Sequence, residues 1–125
     1  MKHFAFVINP NSGLGNKSRF IRTIEKEAQK MKFDFSIYFT QRKYHASELA
    51  RGFVGKVDGV FAVGGDGTVN EIASALLNSN TPMGIIPAGS GNGLARHLHI
   101  PLMPGKALKE LINGDITSID SGTAN

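Results

Sequence analysis

Apolar and polar positions change period along this 125-residue chain, and each change marks an element. Phe4 to Ile8 is a short apolar run that stops at Asn9-Pro10-Asn11, which reads as a first strand. From Asn16 to Met31, apolar residues recur at Phe20, Ile21, Ile24, Ala28 and Met31, a helical stripe. Phe33, Phe35, Ile37 and Phe39 alternate with polar residues and predict a strand with one buried face. Ala46 to Val54 reads as a helix, and Val57 to Val63 as a strand running into a cluster of glycines. Val69, Ile72, Ala73, Leu76 and Leu77 follow an i, i+3, i+4, i+7, i+8 spacing, the strongest helical signal in the chain. Met83 to Ile86 is a short strand ending at Pro87, and the turn after it opens a short helix through Leu98. Pro104 to Asn113 is a helix stopped by Gly114, and Asp115 to Asp120 a last strand. Short apolar runs alternating with helical stripes predict an α/β domain, a largely parallel sheet with flanking helices.

Length and composition narrow the class. One compact domain over residues 1–125 fits this length, and no repeat or linker interrupts it. The last residues, Ser121 to Asn125, follow a strand pattern directly, so the chain reads as one domain of something longer. There is no cysteine, which excludes disulfides and thiolate metal sites and makes a reducing compartment the easier home. No apolar run approaches the roughly 20 residues of a membrane span. The apolar stretch Phe4 to Ile8 is short for a signal peptide and lacks a small-residue cleavage pattern. Net charge is +4, but residues 1–56 hold 11 Lys/Arg against 4 Asp/Glu, whereas residues 57–125 hold 3 against 6. A basic half attracts phosphates or an anionic membrane, or is simply a set of solvated helix faces. With no basic run longer than Arg42-Lys43, nucleic acid is not an expected partner.

The chemistry concentrates in three strand-end turns: Asn9-Pro10-Asn11-Ser12-Gly13, Gly64-Gly65-Asp66-Gly67-Thr68 and Pro87-Ala88-Gly89-Ser90-Gly91-Asn92-Gly93. In a parallel sheet all three share the carboxyl edge, where ligands of open α/β sheets bind. Glycine lets backbone N–H groups approach a phosphate closely, and a helix N-terminus adds donors and a favourable dipole. A single acid there, Asp66, is placed to meet a metal ion carried on those phosphates. Two common phosphate motifs are absent. Gly15-Asn16-Lys17-Ser18 breaks the P-loop pattern, and Gly89-x-Gly91-x-Gly93 misses the dinucleotide fingerprint.

Taken in order, Asn9 to Gly13, Gly64 to Glu71 and Pro87 to Asn92 resemble the catalytic domain of the diacylglycerol kinase family, which also holds bacterial lipid kinases, sphingosine kinases and ceramide kinases. The Gly-Gly-Asp-Gly element alone also occurs in NAD kinases and phosphofructokinases; the flanking turns make the lipid-kinase resemblance specific. The resemblance covers essentially the whole chain and implies an ATP- and Mg²⁺-dependent lipid kinase domain of the NAD kinase/diacylglycerol kinase N-terminal type. It implies ATP contacts from Asn9, Ser12, Gly13, Gly64, Gly65, Gly67, Thr68, Glu71, Gly89, Ser90, Gly91 and Asn92. Thr40 with His45-Ala46 resembles a further element bordering the cleft, and Asp120 an acid near the end of this domain. It also implies a second, β-rich domain, with the lipid acceptor between the two, and thus a cytoplasmic enzyme with peripheral contact at the inner membrane surface. Ser90 stands where Thr is common and keeps the hydroxyl; Gly93 stands where relatives often carry Asp or Ser and removes a polar contact.

Structural alternatives accompany several of these residues. Thr68 and Glu71 have the spacing of a capping box, Asn92 that of an N-cap, and Asn9-Pro10 that of a strand stop. Arg96 either meets a phosphate or faces solvent, while His97 and His99 read as surface histidines rather than metal ligands. Asp66 has two catalytic readings, metal ligand or acceptor of the lipid hydroxyl proton. Two other functions stay in view: a NAD kinase-like phosphotransferase, and a nucleotide-binding fragment inactive on its own.

Overall fold

The computed structural model describes residues 1–11 and 17–87. Ser12, Gly13, the turn containing Gly89, Ser90, Gly91 and Asn92, and the elements expected after it, with Arg96, His97, His99 and Asp120, lie outside the described residues. The described elements are β1 (His3–Ile8), α1 (Lys17–Met31), β2 (Asp34–Phe39), α2 (His45–Phe53), β3 (Gly59–Gly64), α3 (Asp66–Leu76) and β4 (Met83–Pro87). They match the expected order, with boundaries shifted by a few residues.

The described strands all pair in parallel, in the order β2-β1-β3-β4. β1 and β3 are central and buried on both faces, which is why they read as unbroken apolar runs. Edge strand β2 keeps the alternation instead, with Phe35, Ile37 and Phe39 turned to the core and Tyr38 exposed. The side-chain period of two sorts the central strands into unlike faces. Ala5, Val7, Val60 and Ala62 face α2 and α3, where small side chains let two helices sit close to the sheet. Phe6, Ile8, Phe61 and Val63 face α1 through Phe20, Ile24 and Ala28. On that face Phe6 stacks on Phe61 at 4.9 Å between centroids, and Phe4 meets Phe33 and Phe61 edge-on. The result is a three-layer α/β sandwich, as the sequence predicts.

The turn from α1 into β2 is built by a residue that the pattern does not announce. Lys32 takes φ 58, the left-handed position that glycine usually fills after a helix. Phe33 N–H then donates to the Ala28 carbonyl at 3.1 Å, and both residues join the aromatic face of the core. Phe33 thus closes a helix and seals the core before β2 begins at Asp34, one residue later than the alternation suggests.

Candidate functional site

Parallel pairing brings the carboxyl ends of β1, β2, β3 and β4 to one edge. Pro87, which opens the third glycine-rich turn, pairs with Gly64. The chain leaves β1 toward β2 on one side, while β3 lies on the other, so the β1/β3 boundary is the switch point where a crevice forms. A cleft of about 280 Å³ opens there. Of the residues singled out from sequence, Asn9, Thr40, Gly67, Thr68 and Glu71 line it, joined by Ala46. Among the described residues, Asn11, Gln41, Arg42 and Lys43 also line it, and they are not among the expected site residues. The signal for the two cations is a basic pair placed just after the carboxyl end of β2.

The glycines divide into two kinds. Gly64 is buried, and a Cβ there would stand 2.9 Å from Thr68 Oγ1 and 3.3 Å from Asn9 Cβ. It is glycine because the β1 turn and the first turn of α3 meet over it. Gly65 and Gly67 are exposed, and a Cβ on either would meet nothing within 4 Å. The packing among described residues gives no reason for glycine at these two positions, although glycine in a helical turn costs about 0.5–1 kcal/mol relative to alanine.

Helix α3 starts earlier than its apolar stripe. Gly65 is its N-cap in extended conformation (φ −93°, ψ −168°), and Val69 N–H donates to the Gly65 carbonyl at 3.1 Å. Asp66, Gly67 and Thr68 are therefore its first turn, with amides that have no partner among the described residues and the positive end of the dipole at the cleft edge. This removes the capping-box alternative: Thr68 lies inside the helix and cannot be its N-cap. Glu71 instead reaches across to α2, where Oε2 accepts from Tyr44 N–H at 3.2 Å and Oε1 from Ser47 N–H at 3.4 Å.

Thr68 is 7% exposed and, unlike buried Ser47 and Thr81, its hydroxyl has no hydrogen-bond partner among the described residues. An unsatisfied buried hydroxyl is costly, about 1–3 kcal/mol from mutational data, so a polar group that lines a cleft without a partner points to a ligand. Asp66 is exposed on the same turn, and its carboxylate makes no hydrogen bond or ion pair with a described residue. No group of three or more His, Cys, Asp or Glu able to enclose a metal occurs among the described residues. One open carboxylate suits Mg²⁺, which keeps most of its water and takes phosphate oxygens as its other ligands.

The remaining expected residues have structural partners. Asn9 Oδ1 accepts from Asn11 N–H at 2.9 Å, shaping its own turn, while Asn9 N–H donates to the Val63 carbonyl at 2.9 Å. Thr40 N–H donates to the Ile8 carbonyl at 2.8 Å and ties the β2–α2 loop to β1. His45 does not line the cleft; its Nδ1 accepts from Gln41 N–H at 2.9 Å and braces the same loop. Arg42 is paired with Glu48, whose carboxyl is held below its usual range chiefly by that hydrogen bond. A larger hollow of about 720 Å³, lined by Met1, Arg22, Phe33 and Asp34 among others, lies at the amino ends of β1 and β2. None of the expected site residues that are described lines it, and that edge of a parallel sheet receives helix C-termini rather than the N-termini that bind phosphate.

Comparison with known proteins bears on the family to which the chain belongs. "Diacylglycerol kinase" of Staphylococcus saprophyticus is 34% identical over 99% of this chain and 42% of its own length. "Diacylglycerol kinase" of Staphylococcus epidermidis is 32% identical over 99% of this chain and 40% of its own length. A crystal structure described as that of a diacylglycerol kinase from Bacillus anthracis superposes with a TM-score of 0.61 at 30% identity, covering 80% of this chain and 38% of that one. The chain thus spans well under half the length of these relatives. Residues 3–124 match the profile described as "Diacylglycerol kinase catalytic domain", and the chain belongs to that family.

Proposed function

We propose that this chain is the nucleotide-binding domain of an ATP-dependent lipid kinase, which transfers the γ-phosphoryl group to a lipid hydroxyl of diacylglycerol or sphingoid type. Family membership supports the reaction class, and the relatives named diacylglycerol kinase support the acceptor class. The observation that carries the nucleotide site is the N-terminus of α3. Gly65, Asp66 and Gly67 are exposed with open space about both glycines, and the buried Thr68 hydroxyl lacks a partner among the described residues. A phosphate chain laid there receives backbone N–H donors and the Thr68 hydroxyl, and needs the close approach that side chains at 65 and 67 would block.

Phosphoryl transfer depends mainly on positioning and on neutralising charge at the moving group. The α3 amides and Thr68 orient the phosphates, and Thr40, with the loop after it, forms the opposite wall. Asp66 is the residue that would hold Mg²⁺, directly or through water, and the ion would supply positive charge against the phosphate oxygens. The alternative role of Asp66, accepting the proton of the attacking hydroxyl, uses the same exposed carboxylate. The acceptor then enters from a second domain supplied by the longer protein, which docks at the inner membrane surface from the cytoplasm. The relatives, of which this chain spans 42% or less, are long enough to carry such a domain. No helix among the described residues is long and apolar enough to cross a membrane.

The test is phosphorylation by the full-length protein with diacylglycerol, a sphingoid base and NAD offered in parallel. Lipid phosphorylation that Asp66→Asn lowers by about 10²–10³ in kcat, with the fold intact, is expected. NAD phosphorylation instead, or wild-type turnover by the variant, would overturn the reading.

A further inference from the structure

We propose that Glu71 is a positioning residue: from α3 its carboxylate caps helix α2, and so fixes the loop that walls the nucleotide cleft. This rests on the nucleotide reading above.

A helix N-terminus leaves amides that need acceptors, and a Ser, Thr, Asp or Asn at the N-cap normally supplies one to the third helical residue. Here the N-cap is Tyr44, at φ 68, and its side chain makes no capping hydrogen bond. Ser47 is the third helical residue, and its amide donates to Glu71 Oε1 at 3.4 Å. The Tyr44 amide donates to Glu71 Oε2 at 3.2 Å. One carboxylate, 27 positions on in the sequence, therefore supplies the acceptor that Tyr44 cannot offer its own helix.

The bulk of the α2–α3 contact does not need this residue. Ala46, Ala50, Val69, Ile72 and Ala73 already pack in one apolar cluster with the sheet. What Glu71 adds is the position of the first turn of α2 and the loop leading into it. That loop is pinned at one end by Thr40 N–H on the Ile8 carbonyl, and within by Gln41 N–H on His45 Nδ1. Glu71 pins the other end. Between these points Arg42 and Lys43 line the cleft, and Lys43 lies over the Tyr44 ring at 5.1 Å. Glu71 sits on the same helix as the glycine turn, so a single element carries the phosphate donors and sets the distance to the facing wall.

The experiment compares the full-length wild type with Glu71→Ala, Glu71→Gln, Tyr44→Asn and the double variant Tyr44→Asn/Glu71→Ala. Asparagine tolerates the left-handed conformation that Tyr44 holds and, once residue 44 relaxes to the extended backbone of a capping residue, supplies a local acceptor where the distant one is lost. Amide hydrogen exchange without nucleotide reads the cap directly, and steady-state kinetics with Mg-ATP reads its consequence. Glu71→Ala is expected to speed exchange at Tyr44 and Ser47 and to raise KM for ATP about tenfold, with kcat changed less than threefold. The double variant is expected to return KM to within about threefold of wild type, and Glu71→Gln, which keeps one acceptor oxygen, to fall between. Unchanged exchange in Glu71→Ala would overturn the cap. Faster exchange with no rescue of KM in the double variant would overturn the positioning role and make Glu71 a direct nucleotide contact. Faster exchange in a protein whose wild type does not bind ATP would instead refute the nucleotide reading and leave the cap standing.

Discussion

Gly67→Ala separates the requirements of the fold from those of the ligand. Gly67 occupies the first turn of α3, and a Cβ there meets no neighbouring element within 4 Å among the described residues. Alanine therefore costs nothing sterically and removes the entropic penalty of a helical glycine, about 0.5–1 kcal/mol. For a domain of this size that gain corresponds to a rise in Tm of about 2–5 °C. The same methyl group projects from a residue that lines the cleft, where a phosphate is proposed to approach the backbone. A Cβ in that space pushes the phosphate beyond hydrogen-bond reach of an amide, and losing one charge-assisted bond of about 1.5–3 kcal/mol weakens Mg-ATP binding roughly 10- to 100-fold. Calorimetric unfolding and ATP titration of the same preparation give both numbers. A variant of unchanged affinity, or one that is less stable, refutes the claim that this glycine serves a ligand rather than the chain.

Thr68→Val keeps the β-branched shape while removing a buried hydroxyl that lacks a partner among the described residues. It is expected to raise stability by about 1 kcal/mol and lower ATP affinity about tenfold, measured by denaturant unfolding and titration. Lys32→Gly relieves the left-handed backbone at φ 58 and is expected to stabilise the chain by about 0.5–1 kcal/mol in the same unfolding assay. Glu48 has a folded-state pKa lowered from 4.5 by Arg42, so its ion pair stabilises above that value and is lost as pH falls through the lower, folded-state pKa. Glu48→Gln is accordingly expected to flatten the dependence of stability on pH below 4.5 and to remove, at pH 7, the small contribution that this exposed pair makes there.

The parts of the fold legible in sequence are those whose burial imposes a simple period. β1 and β3, covered on both faces, read as apolar runs, and β2, at the edge, reads as alternation. Because parallel strands send their carboxyl ends to one side, the convergence of Asn9, Thr40 and the glycine turn follows from the α/β pattern alone. The start of α3 does not follow from its stripe, since Asp66, Gly67 and Thr68 form a helical turn with one buried residue among three.

Other features depend on contacts that no local pattern encodes. The Thr68-x-x-Glu71 spacing fits a cap on its own helix, yet Glu71 serves α2, because Tyr44 cannot and α3 packs beside it. The three glycines look equivalent in sequence. Only the meeting of Asn9 and Thr68 over Gly64 shows that one is required by packing, whereas the described residues set no such requirement on the other two. Lys32 carries no sequence signal because its left-handed conformation is held by the contacts of Phe33 rather than by its own residue type.

The most direct test is a residue-resolved titration of backbone amide shifts with Mg-ATP. The account predicts saturable shifts largest at Gly65, Gly67 and Thr68, extending to Asn9 and Thr40, with Phe33 and Phe35 unmoved. Shifts centred on Phe33, Phe35 and Met1 at the other end of the strands, or none at the start of α3, would contradict it.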